Sequence, residues 1–493
     1  MNDATSAAAL AGRYDAIAYA AQPSPWSQPG HLAAVATLFG LDPPPAASAR
    51  VLEVGCSDGA NLIPMAVALP GATFVGCDLA ARPIAEARRT VEATGLSNIR
   101  FEQADLAELR DDFGPFDYIV AHGVYSWVPA PVRDALFALA ARRLAPNGVM
   151  FVSYNTLPGC RVRQAAWDAL AYHTRGITEP RARLDAARAL GALLAEPGTT
   201  NEDSDAALRA EFARIATRPD SPLFHDDLGE PNDPVHFHEF VAHAGRHGLA
   251  FVAESALSST TGDGLSPRMR AFADGCDRLA REQYLDFAHL RRYRQSLLCH
   301  ASSAGALAWA PQRIAAMQVS ASTALMRAAA EGRFTGGDAR DAMQAVLQWL
   351  AGLAPRAVAV ADARDWLARR AGGAVPPVAI EDLLADACRN GLVQLHTTPL
   401  RLAATADEHP VASPLVRWQA IERDYLTNLR HEAVRVADPL ARQLLPLLDG
   451  SRSRRQLVEA LGPALSARER KALADKVDGY LKAFARLALL MPA

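Results

Sequence analysis

Two short apolar runs, each ending in one carboxylate, constrain the fold of this 493-residue chain most strongly. The first reads Val-Leu-Glu-Val-Gly-Cys-Ser-Asp-Gly over residues 51–59, and the second, Phe-Val-Gly-Cys-Asp, ends at Asp78. Short apolar runs followed by small-residue turns are typical of buried strands in a parallel sheet. Asp78 follows Glu53 by 25 residues, which leaves room for a helix between the two strands. The two runs therefore predict an open α/β sheet with a ligand site at the carboxyl ends of its strands.

The alternation of strands and helices continues to residue 155. Strands are predicted at 50–54, 73–77, 99–102, 116–121 and 148–154. Ala-rich helices are predicted between them at 60–69, 82–94 and 130–144. Such alternation predicts a parallel sheet with right-handed crossovers. A helix at 236–247 and strands at 249–254 and 296–299 are expected to complete this sheet after a helical insertion.

The length of the chain exceeds what one hydrophobic core usually supports, so several domains are expected. The predicted fold class is α/β, with a Rossmann-like core followed by two mostly helical, winged-helix-like units. The predicted boundaries are 1–50 for an N-terminal helical extension, 51–303 for the core with a helical cap inserted at 160–225, 304–405 for a middle unit and 406–493 for a C-terminal unit.

Charge and cysteine usage narrow the functional classes. The net charge of -3 argues against nucleic-acid binding by the molecule as a whole. The six cysteines form no C-x-x-C pair and no cluster with histidines at metal spacing, so no metal is predicted. No apolar run reaches about 18 residues, and we expect a cytoplasmic protein without a membrane partner.

The residues around Glu53 favour S-adenosylmethionine over a dinucleotide cofactor. A dinucleotide site needs glycines in the order G-x-G-x-x-G, which allow the backbone to approach a pyrophosphate. This chain instead places a carboxylate beside the turn, in Glu53-Val-Gly-Cys-Ser-Asp-Gly59. A carboxylate attracts a sulfonium and an ammonium group and repels a pyrophosphate. The predicted cofactor is therefore S-adenosylmethionine, with no metal.

Individual contacts are assigned from positions at the carboxyl edge of the sheet. Gly55 and Gly59 allow the backbone to approach the methionine part of the cofactor. Either Glu53 or Asp58 could hold its ammonium group, and the two oxygens of Asp78 could accept from both ribose hydroxyls. The fourth strand ends at Ala121-His122, which should face the methyl-donor cavity.

The adenine is expected between Leu79, which follows the second strand, and Asp105, which follows the third. Any one of these aspartates is as readily a helix N-cap or a loop residue, so the joint spacing carries the prediction. The predicted cofactor-binding residues are Tyr14, Tyr19, Glu53, Gly55, Cys56, Ser57, Gly59, Asn61, Asp78, Leu79, Asp105, Leu106, Ala121 and His122.

Six longer stretches carry a resemblance to one bacterial family. They are 14–19, 61–66, 121–129, 153–159, 234–240 and 281–287. Together they resemble the methyltransferases that carry a methyltransferase regulatory domain, a group that includes the rickettsial outer-membrane-protein lysine methyltransferases. The resemblance covers residues 10–300 well and the C-terminal third only in general layout. It implies a class I methyltransferase core, S-adenosylmethionine as donor and protein lysine as acceptor.

The chain departs from this family at two places. After Trp26 the relatives usually read Thr-His-Pro-x-Arg-Leu, whereas this chain reads Ser-Gln-Pro-Gly-His-Leu over 27–32. If those groups shape the acceptor pocket, the substrate would differ from that of the relatives. Ser57 stands where glycine is commoner, which should be tolerated if this position keeps a negative φ.

The acceptor side is predicted at the ends of the fourth and fifth strands. A lysine acceptor must lose its proton, because its ordinary pKa is about 10.4, and an apolar channel lowers that pKa. His122 is interpreted as a base or as a neutral structural histidine, and Tyr125 and Trp127 as aromatic walls rather than catalysts. The candidate catalytic residues are His122, Tyr125, Trp127, Tyr154 and Asn155.

A second polar cluster lies outside this edge, at 225–227 and 236–239. His236 and His238 are two residues apart and would lie on different faces of a helix, which disfavours a metal site. A closing flap over the acceptor channel, or an ordinary helix surface, fits the pattern better.

Three functions remain distinguishable. The leading hypothesis is N-methylation of protein lysine by direct in-line transfer, with a protein or peptide substrate as partner. The alternative is a small-molecule or natural-product methyltransferase whose C-terminal units form a homodimer. The third is a regulator in which a winged helix binds nucleic acid through Arg452, Arg454 and Arg455. Nucleic acid is not the expected partner.

Overall fold

The computed structural model describes residues 12, 17, 19, 21–106, 114–196, 203–305, 307–332, 342–370, 379–462 and 466–492. Within these residues the central sheet consists of β1 Arg50–Val54, β2 Thr73–Asp78, β3 Ile99–Gln103, β4 Phe116–Ala121, β5 Leu144–Asn155, β6 Leu249–Glu254 and β7 Tyr293–His300. The order across the sheet is β3-β2-β1-β4-β5-β7-β6. Strands β1 to β5 run parallel, and β7 is antiparallel to both β5 and β6.

Among the described residues up to 300, ten helices of seven residues or more lie before and between these strands, and those between β1 and β5 alternate with them as the sequence predicts. They are α1 Pro29–Leu38, α2 Leu62–Ala68, α3 Ala81–Thr94, α4 Ala130–Arg143, α5 Cys160–Thr174, α6 Pro180–Leu194, α7 Asp203–Thr217, α8 Phe237–Arg246, α9 Pro267–Asp274 and α10 Arg278–His289. The strand order reverses between β1 and β4. A crevice for a ligand forms at such a reversal, at the carboxyl ends of the strands. The predicted Rossmann-like core is confirmed.

The two central strands are buried on both faces. Val51 and Leu52 of β1, and Ile119 and Val120 of β4, have no exposed surface. Parallel strands covered by helices on both sides read as continuous apolar runs, which is why the sequence reveals them. The carboxyl ends of β1 and β4 are therefore held rigidly next to each other.

Helices α5, α6 and α7 form the insertion between β5 and β6. Leu170, Leu184, Phe212 and Ile215 pack into an apolar cluster that is separate from the clusters on the sheet. A helical insertion was expected here, while its exact limits, 160–225, stay a prediction.

A buried ion cluster fastens β6, β7 and α10 together. Arg294 is 1% exposed and donates to Glu254 at 2.7 Å, to Asp286 at 2.8 Å and to Glu282 at 3.1 Å. Arg291 lies 3.3 Å from Asp286 in the same cluster. Because an unpaired buried charge is costly, each of these side chains depends on the others.

Beyond β7, a second unit has a small antiparallel sheet of order β10-β8-β9. Its elements are β8 Gln318–Ala321, α11 Thr323–Ala330, α12 Ala342–Leu353, β9 Ala357–Ala359, α13 Val360–Arg370, α14 Ile380–Arg389 and β10 Val393–His396. Val319 and Leu395 of this unit belong to the same apolar cluster as Leu32 of α1 and Val51 of β1. The middle unit is thus packed directly onto one face of the core.

The C-terminal unit has its own apolar cluster, which includes Val416, Leu444 and Leu481. Its elements are β11 Val411–Ala412, α15 Pro414–Glu422, β12 Leu426–Thr427, β13 Ala433–Val434, α16 Pro439–Leu444, α17 Arg454–Leu461, α18 Ala467–Arg486 and β14 Leu490–Met491. Strand β11 pairs with β14, and β12 pairs with β13 as a hairpin. The predicted fold class is confirmed, and the domain boundaries at 303/304 and 405/406 stay predictions.

The arginines proposed for nucleic-acid contact are paired with carboxylates. Arg452 lies 3.3 Å from Asp449, Arg454 lies 3.1 Å from Asp478, and Arg455 lies 3.5 Å from Glu459. Much of their charge is therefore compensated locally.

Among the described residues, no helix is both long enough and apolar enough to span a membrane.

Candidate active site

The turn after β1 presents backbone, rather than side chains, at the carboxyl edge of the sheet. Gly55 and Gly59 have φ angles of +69° and +75°. A Cβ at Gly55 would lie 2.6 Å from Cγ2 of Val124, and one at Gly59 would lie 2.6 Å from the ring of Phe101. Both positions therefore require glycine, for conformation and for space.

Ser57 lies in the left-handed region, with a φ angle of +49°. The condition under which serine should be tolerated here, a negative φ, is therefore not met. Its backbone N donates to Oδ2 of Asp78 at 2.9 Å, and this hydrogen bond helps to hold a conformation that costs a non-glycine residue about 1 kcal/mol.

Asp78 ends β2 and organises the loops on both sides of it. Its Oδ2 accepts from the backbone N of Ser57, and its Oδ1 accepts from the backbone N of Ala80 at 2.9 Å. Burial raises the pKa of this carboxyl. Each carboxylate oxygen has further acceptor capacity, so the backbone contacts leave room for ribose hydroxyls. The neighbouring Cys56 is buried, and its N donates to the carbonyl oxygen of Cys77 at 3.1 Å.

Glu53 is the most deeply buried carboxylate of this turn, with 2% exposure. Its Oε1 accepts from Nδ2 of Asn61 at 2.6 Å, whereas Oε2 has no hydrogen-bond partner among the described residues. Burial raises the pKa of Glu53 to about 8, with Asp78 and Asp58 adding like charge. A buried acceptor without a donor is costly and fits a ligand that brings a cationic donor. The ammonium of S-adenosylmethionine is such a donor.

Asp58, the other candidate for the ammonium group, already has a cationic partner. Its Oδ2 lies 3.0 Å from the guanidinium of Arg423, and its Oδ1 accepts from the N of Ala60 at 3.2 Å. Of the two alternatives, Glu53 is therefore the one with an unused acceptor.

Asn61 connects three distant parts of the chain at this point. Its Oδ1 accepts from the N of Ser24 at 2.8 Å and from Nε2 of His431 at 2.9 Å. Its Nδ2 lies 3.0 Å from Oγ of Ser27 in addition to its bond with Glu53. The sequence motif predicts Asn61, but no local pattern indicates the serines or His431.

The adenine is predicted to lie between the loops that follow β2 and β3. Gln103 donates from Nε2 to the carbonyl oxygen of Leu79 at 3.2 Å, and Ala104 donates to the carbonyl oxygen of Asp78 at 3.0 Å. Asp105 and Leu106 follow directly and are half-buried. The structure thus brings the loops after β2 and β3 together, as the sequence predicts for an adenine site.

His122 follows β4, where Ala121 is fully buried. Its Nδ1 lies 2.9 Å from Oγ of Ser153 on β5 and 3.4 Å from the hydroxyl of Tyr293 on β7. Burial lowers the pKa of His122 to about 4, so the ring is neutral at physiological pH. Sequence reasoning missed Ser153 and Tyr293, although each lies on a predicted strand or next to one.

Tyr125 and Tyr154 face the apolar core rather than an open cavity. The hydroxyl of Tyr125 hydrogen-bonds Nδ1 of His243 at 2.9 Å, and burial raises its pKa to about 12. The ring of Tyr154 stacks on Phe240 with centroids 4.0 Å apart, and its hydroxyl lies 3.2 Å from Ser296. Both tyrosines pack behind the candidate site, and their hydroxyls hydrogen-bond His243 and Ser296.

Asn155 follows Tyr154 on β5 and points to the opposite face, the face of Ser153. Its Nδ2 donates to Oδ1 of Asn232 at 2.9 Å, and its backbone N donates to Ser126 at 2.9 Å. Trp127 is half-buried in the short turn after β4. Of the candidate catalytic residues, His122 and Asn155 are thus on the polar side of the strands.

The remaining predictions lie around the turn after the insertion. Tyr19 is 40% exposed, and its ring meets that of His225 with centroids 5.4 Å apart. Tyr14 lies outside the described residues. His236 caps the start of α8, where its N donates to Glu239 at 2.9 Å, and His238 bonds Gln283 at 2.8 Å. These contacts explain the histidine-rich stretch as a helix cap.

Asp134, His243 and His247 form a further cluster of metal-ligand types. Oδ1 of Asp134 lies 2.7 Å from Nε2 of His243 and 3.1 Å from Nε2 of His247. These are ordinary hydrogen-bond distances, and the contacts join α4 to α8.

Three stretches match known protein families. Residues 51–148 match the family described as Methyltransferase domain, and residues 219–300 match Predicted methyltransferase regulatory domain. Residues 408–477 match PKMT, C-terminal winged helix domain.

Among curated proteins, two relatives come from Rickettsia prowazekii. The uncharacterized protein RP789 is 39% identical over 289 residues, which are 58% of this chain and 52% of that protein. The chain thus spans about half the length of this relative. The uncharacterized protein RP028 is 33% identical over 233 residues, which are 47% of this chain and 93% of that protein.

Among solved structures, PKMT2 from Rickettsia typhi in complex with AdoHcy superposes with a TM-score of 0.79 at 22% identity. The superposition covers 96% of this chain and 99% of PKMT2. The agreement in fold therefore extends from the central sheet through the C-terminal unit.

Proposed function

We propose that this chain, which belongs to the S-adenosylmethionine-dependent methyltransferases with a methyltransferase regulatory domain, methylates lysine side chains of proteins. The observation that carries the proposal is the C-terminal winged helix of PKMT type, built against the cofactor turn. Arg423 of this unit pairs with Asp58 at 3.0 Å, and the hydroxyl of Tyr425 donates to Ala21 at 2.7 Å. PKMT denotes a protein lysine methyltransferase, and a unit of this type, fixed beside the donor site, supports a protein substrate.

When bound, S-adenosylmethionine supplies a methyl group activated by a positively charged sulfur. The chain's own residues then have two tasks, to align a neutral amine and to exclude water. An acceptor lysine has to enter as the free amine, because the ammonium form has no lone pair. We propose that Glu53 and Asp78 hold the cofactor by its ammonium and ribose groups.

On the acceptor side, we propose that His122, Asn155 and Tyr293 orient the amine. His122 is neutral, since burial lowers its pKa to about 4, and it therefore adds no positive charge to the acceptor side. The hydroxyl of Tyr293 lies 3.4 Å from Nδ1 of His122, and the residue as a whole is 42% exposed. These groups hold and align the amine rather than act as strong bases.

Labelling tests the proposal directly. The purified protein is incubated with methyl-labelled S-adenosylmethionine and a lysate of its own host, and protein and small-molecule fractions are separated. We expect base-stable label in protein bands, located on lysine by mass spectrometry. A labelled small molecule other than the cofactor, with no label in protein, would instead establish the small-molecule methyltransferase. Asp78→Ala serves as the inactive control in both fractions.

Oligomeric state is a separate prediction. A homodimer is one expected arrangement, and sedimentation of the full chain measures it.

A further inference from the structure

The turn of the β12–β13 hairpin brings His431 of the C-terminal unit into contact with Asn61, beside the turn after β1. The hairpin turn, residues 428–432, is held by its own backbone: the N of His431 donates to the carbonyl oxygen of Asn428 at 3.0 Å. Oδ1 of Asn428 accepts from the N of Arg430 at 3.0 Å and from the N of Glu432 at 2.9 Å. The N of Leu429 donates to Ala488 at 2.9 Å, which ties the turn to the end of the chain. The tip is therefore preorganised.

His431 is the residue that this turn presents. It is 4% exposed and has a φ angle of +63°. Its Nε2 lies 2.9 Å from Oδ1 of Asn61, which also accepts from the N of Ser24. The orientation of the Asn61 amide is fixed, because its Nδ2 faces the carboxylate of Glu53 at 2.6 Å. Nε2 of His431 is thus the protonated nitrogen, and Nδ1 is an acceptor.

Nδ1 of His431 has no hydrogen-bond partner among the described residues, and the same holds for Oε2 of Glu53. Both atoms belong to side chains that bond the same amide, so two unused buried acceptors flank Asn61. Burial lowers the pKa of His431 to about 3, with His122 as a second cause, so the ring is neutral. Paired unused acceptors call for a ligand with several donors.

We propose that His431 is a cofactor-binding residue supplied by the C-terminal unit, accepting through Nδ1 a hydrogen bond from the ammonium of S-adenosylmethionine, alongside Glu53. The inference rests on the proposed placement of the donor at Glu53. An ammonium offers three N–H groups, which suits one carboxylate and one neutral imidazole. The donor site is then complete only when the C-terminal unit is docked on the core.

Two substitutions separate the two nitrogens of the ring. In His431→Asn the amide oxygen takes approximately the place of Nδ1, so an acceptor for the cofactor is kept and the bond to Asn61 is lost. In His431→Gln the amide nitrogen takes approximately the place of Nε2, so the bond to Asn61 is kept and the acceptor is lost. Asn is also well suited to a positive φ.

The measurement is calorimetric binding of two ligands to the full chain. S-adenosylhomocysteine carries the ammonium, whereas 5′-methylthioadenosine lacks the amino-acid part. We expect His431→Gln to weaken S-adenosylhomocysteine by about tenfold or more and His431→Asn by less than about threefold. Binding of 5′-methylthioadenosine should be unchanged in both, which also shows that the variants are folded. The exposed His409, which precedes β11, provides the matched control His409→Gln, with both affinities unchanged.

Three results would overturn the inference. The reverse order, with His431→Gln close to the unmodified chain and His431→Asn weak, would assign His431 to positioning Asn61. Equal losses for both ligands would point to general disruption of the turn, and unchanged affinity for S-adenosylhomocysteine in both variants would remove His431 from the site. Failure of the unmodified chain to bind either ligand would instead overturn the proposed function, on which the inference rests.

Discussion

At the scale of single residues, the proposed donor site contains buried acceptors whose partners we expect a ligand to supply. Asp78 satisfies two backbone donors and keeps capacity for hydroxyls, whereas Glu53 has one oxygen without a donor. The two carboxylates therefore have different proposed roles: Asp78 holds the loops, and Glu53 binds a cationic group of the ligand. This difference follows from burial and geometry, since the two residue types are chemically alike.

Replacing Asp78 by alanine should weaken cofactor binding by about a hundredfold, since hydrogen bonds to a charged acceptor contribute about 1.5–3 kcal/mol each. Calorimetry with S-adenosylhomocysteine measures the loss. Asp117 at the amino end of β4, on the opposite edge of the sheet, gives the matched control Asp117→Ala, for which affinity should stay the same. Equal affinity of Asp78→Ala and the unmodified chain would contradict the placement of the ribose.

Glu53 should make cofactor binding depend on pH. Burial raises its pKa to about 8, so the free protein holds a proton there at neutral pH, and Oε2 becomes an unused acceptor when that proton leaves. A bound ammonium favours the carboxylate, and binding then releases that proton. Affinity for S-adenosylhomocysteine should rise with pH up to about 8, by at most about tenfold per pH unit, and then level off. Calorimetry in buffers of different ionisation enthalpy counts the proton.

The raised pKa of Glu53 also makes the stability of the free protein depend on pH. Glu53 titrates near 4.5 when unperturbed and at about 8 in the fold, so its contribution to stability is lost as pH rises between these values. Glu53→Gln should abolish both the proton release and the pH slope of binding. Undiminished proton release in Glu53→Gln would assign the titration to another group.

At the scale of elements, the ion cluster of Arg294 decides how the last strands stay attached. Strands β6 and β7 are separated from β5 by the insertion, and β7 is the antiparallel strand between β5 and β6 in a largely parallel sheet. Arg294 joins β7 to Glu254 on β6 and to Asp286 on α10. Strands β6 and β7 and helix α10 lie within residues 219–300, which match the regulatory domain, so the ion cluster joins the elements of that domain to one another.

Arg294→Met should lower the free energy of unfolding by about 3–5 kcal/mol, because three buried carboxylates lose their main cation. Thermal melting of the full chain checks this, and the loss should shrink toward pH 5, where the carboxylates can take up protons. Arg89→Met is the matched control: Arg89 pairs with Glu86 at 2.9 Å but is 62% exposed, so the loss should stay below about 1 kcal/mol. Equal melting temperatures for the two variants would contradict the assignment.

At the scale of the whole molecule, the cofactor turn lies where three parts of the chain meet. Ser24 comes from the N-terminal segment, Asn61 from the core and His431 from the C-terminal unit, and they share one hydrogen-bond network. The middle unit shares an apolar cluster with α1 and β1. The middle and C-terminal units therefore both pack directly on the core.

The compensated arginines allow a prediction at this scale. Arg454 donates to Asp478 and to backbone carbonyls of Ala406 and Asp407, so it has a structural role. The double variant Arg452→Gln, Arg455→Gln removes the other two charges without disturbing it. Retention on duplex DNA should be the same for this variant and the unmodified chain at every salt concentration. A variant that elutes at clearly lower salt would favour the nucleic-acid hypothesis.

The sequence by itself determined the core of the molecule. Parallel strands buried on both faces produce continuous apolar runs, and β1, β2 and β4 lie within a residue or two of their predicted limits. Gly55, Glu53, Asp78 and Asn61 are predicted as site residues because they occupy fixed positions in those runs or after them. Local pattern and fold agree at this turn because the bonds of Asn61 to Glu53 and of Ser57 to Asp78 span only 8 and 21 residues.

Only the tertiary structure decided which side chains share the site. The bond between Asn61 and His431 spans 370 residues, and no local pattern encodes the approach of two separately folded units. Tyr154 and Asn155 are neighbours in sequence, yet the alternation of a strand sends one into the core and the other toward Asn232. The left-handed conformation of Ser57 was likewise set by the Asp78 contact. Periodicity locates the elements, whereas packing between them selects the residues that meet.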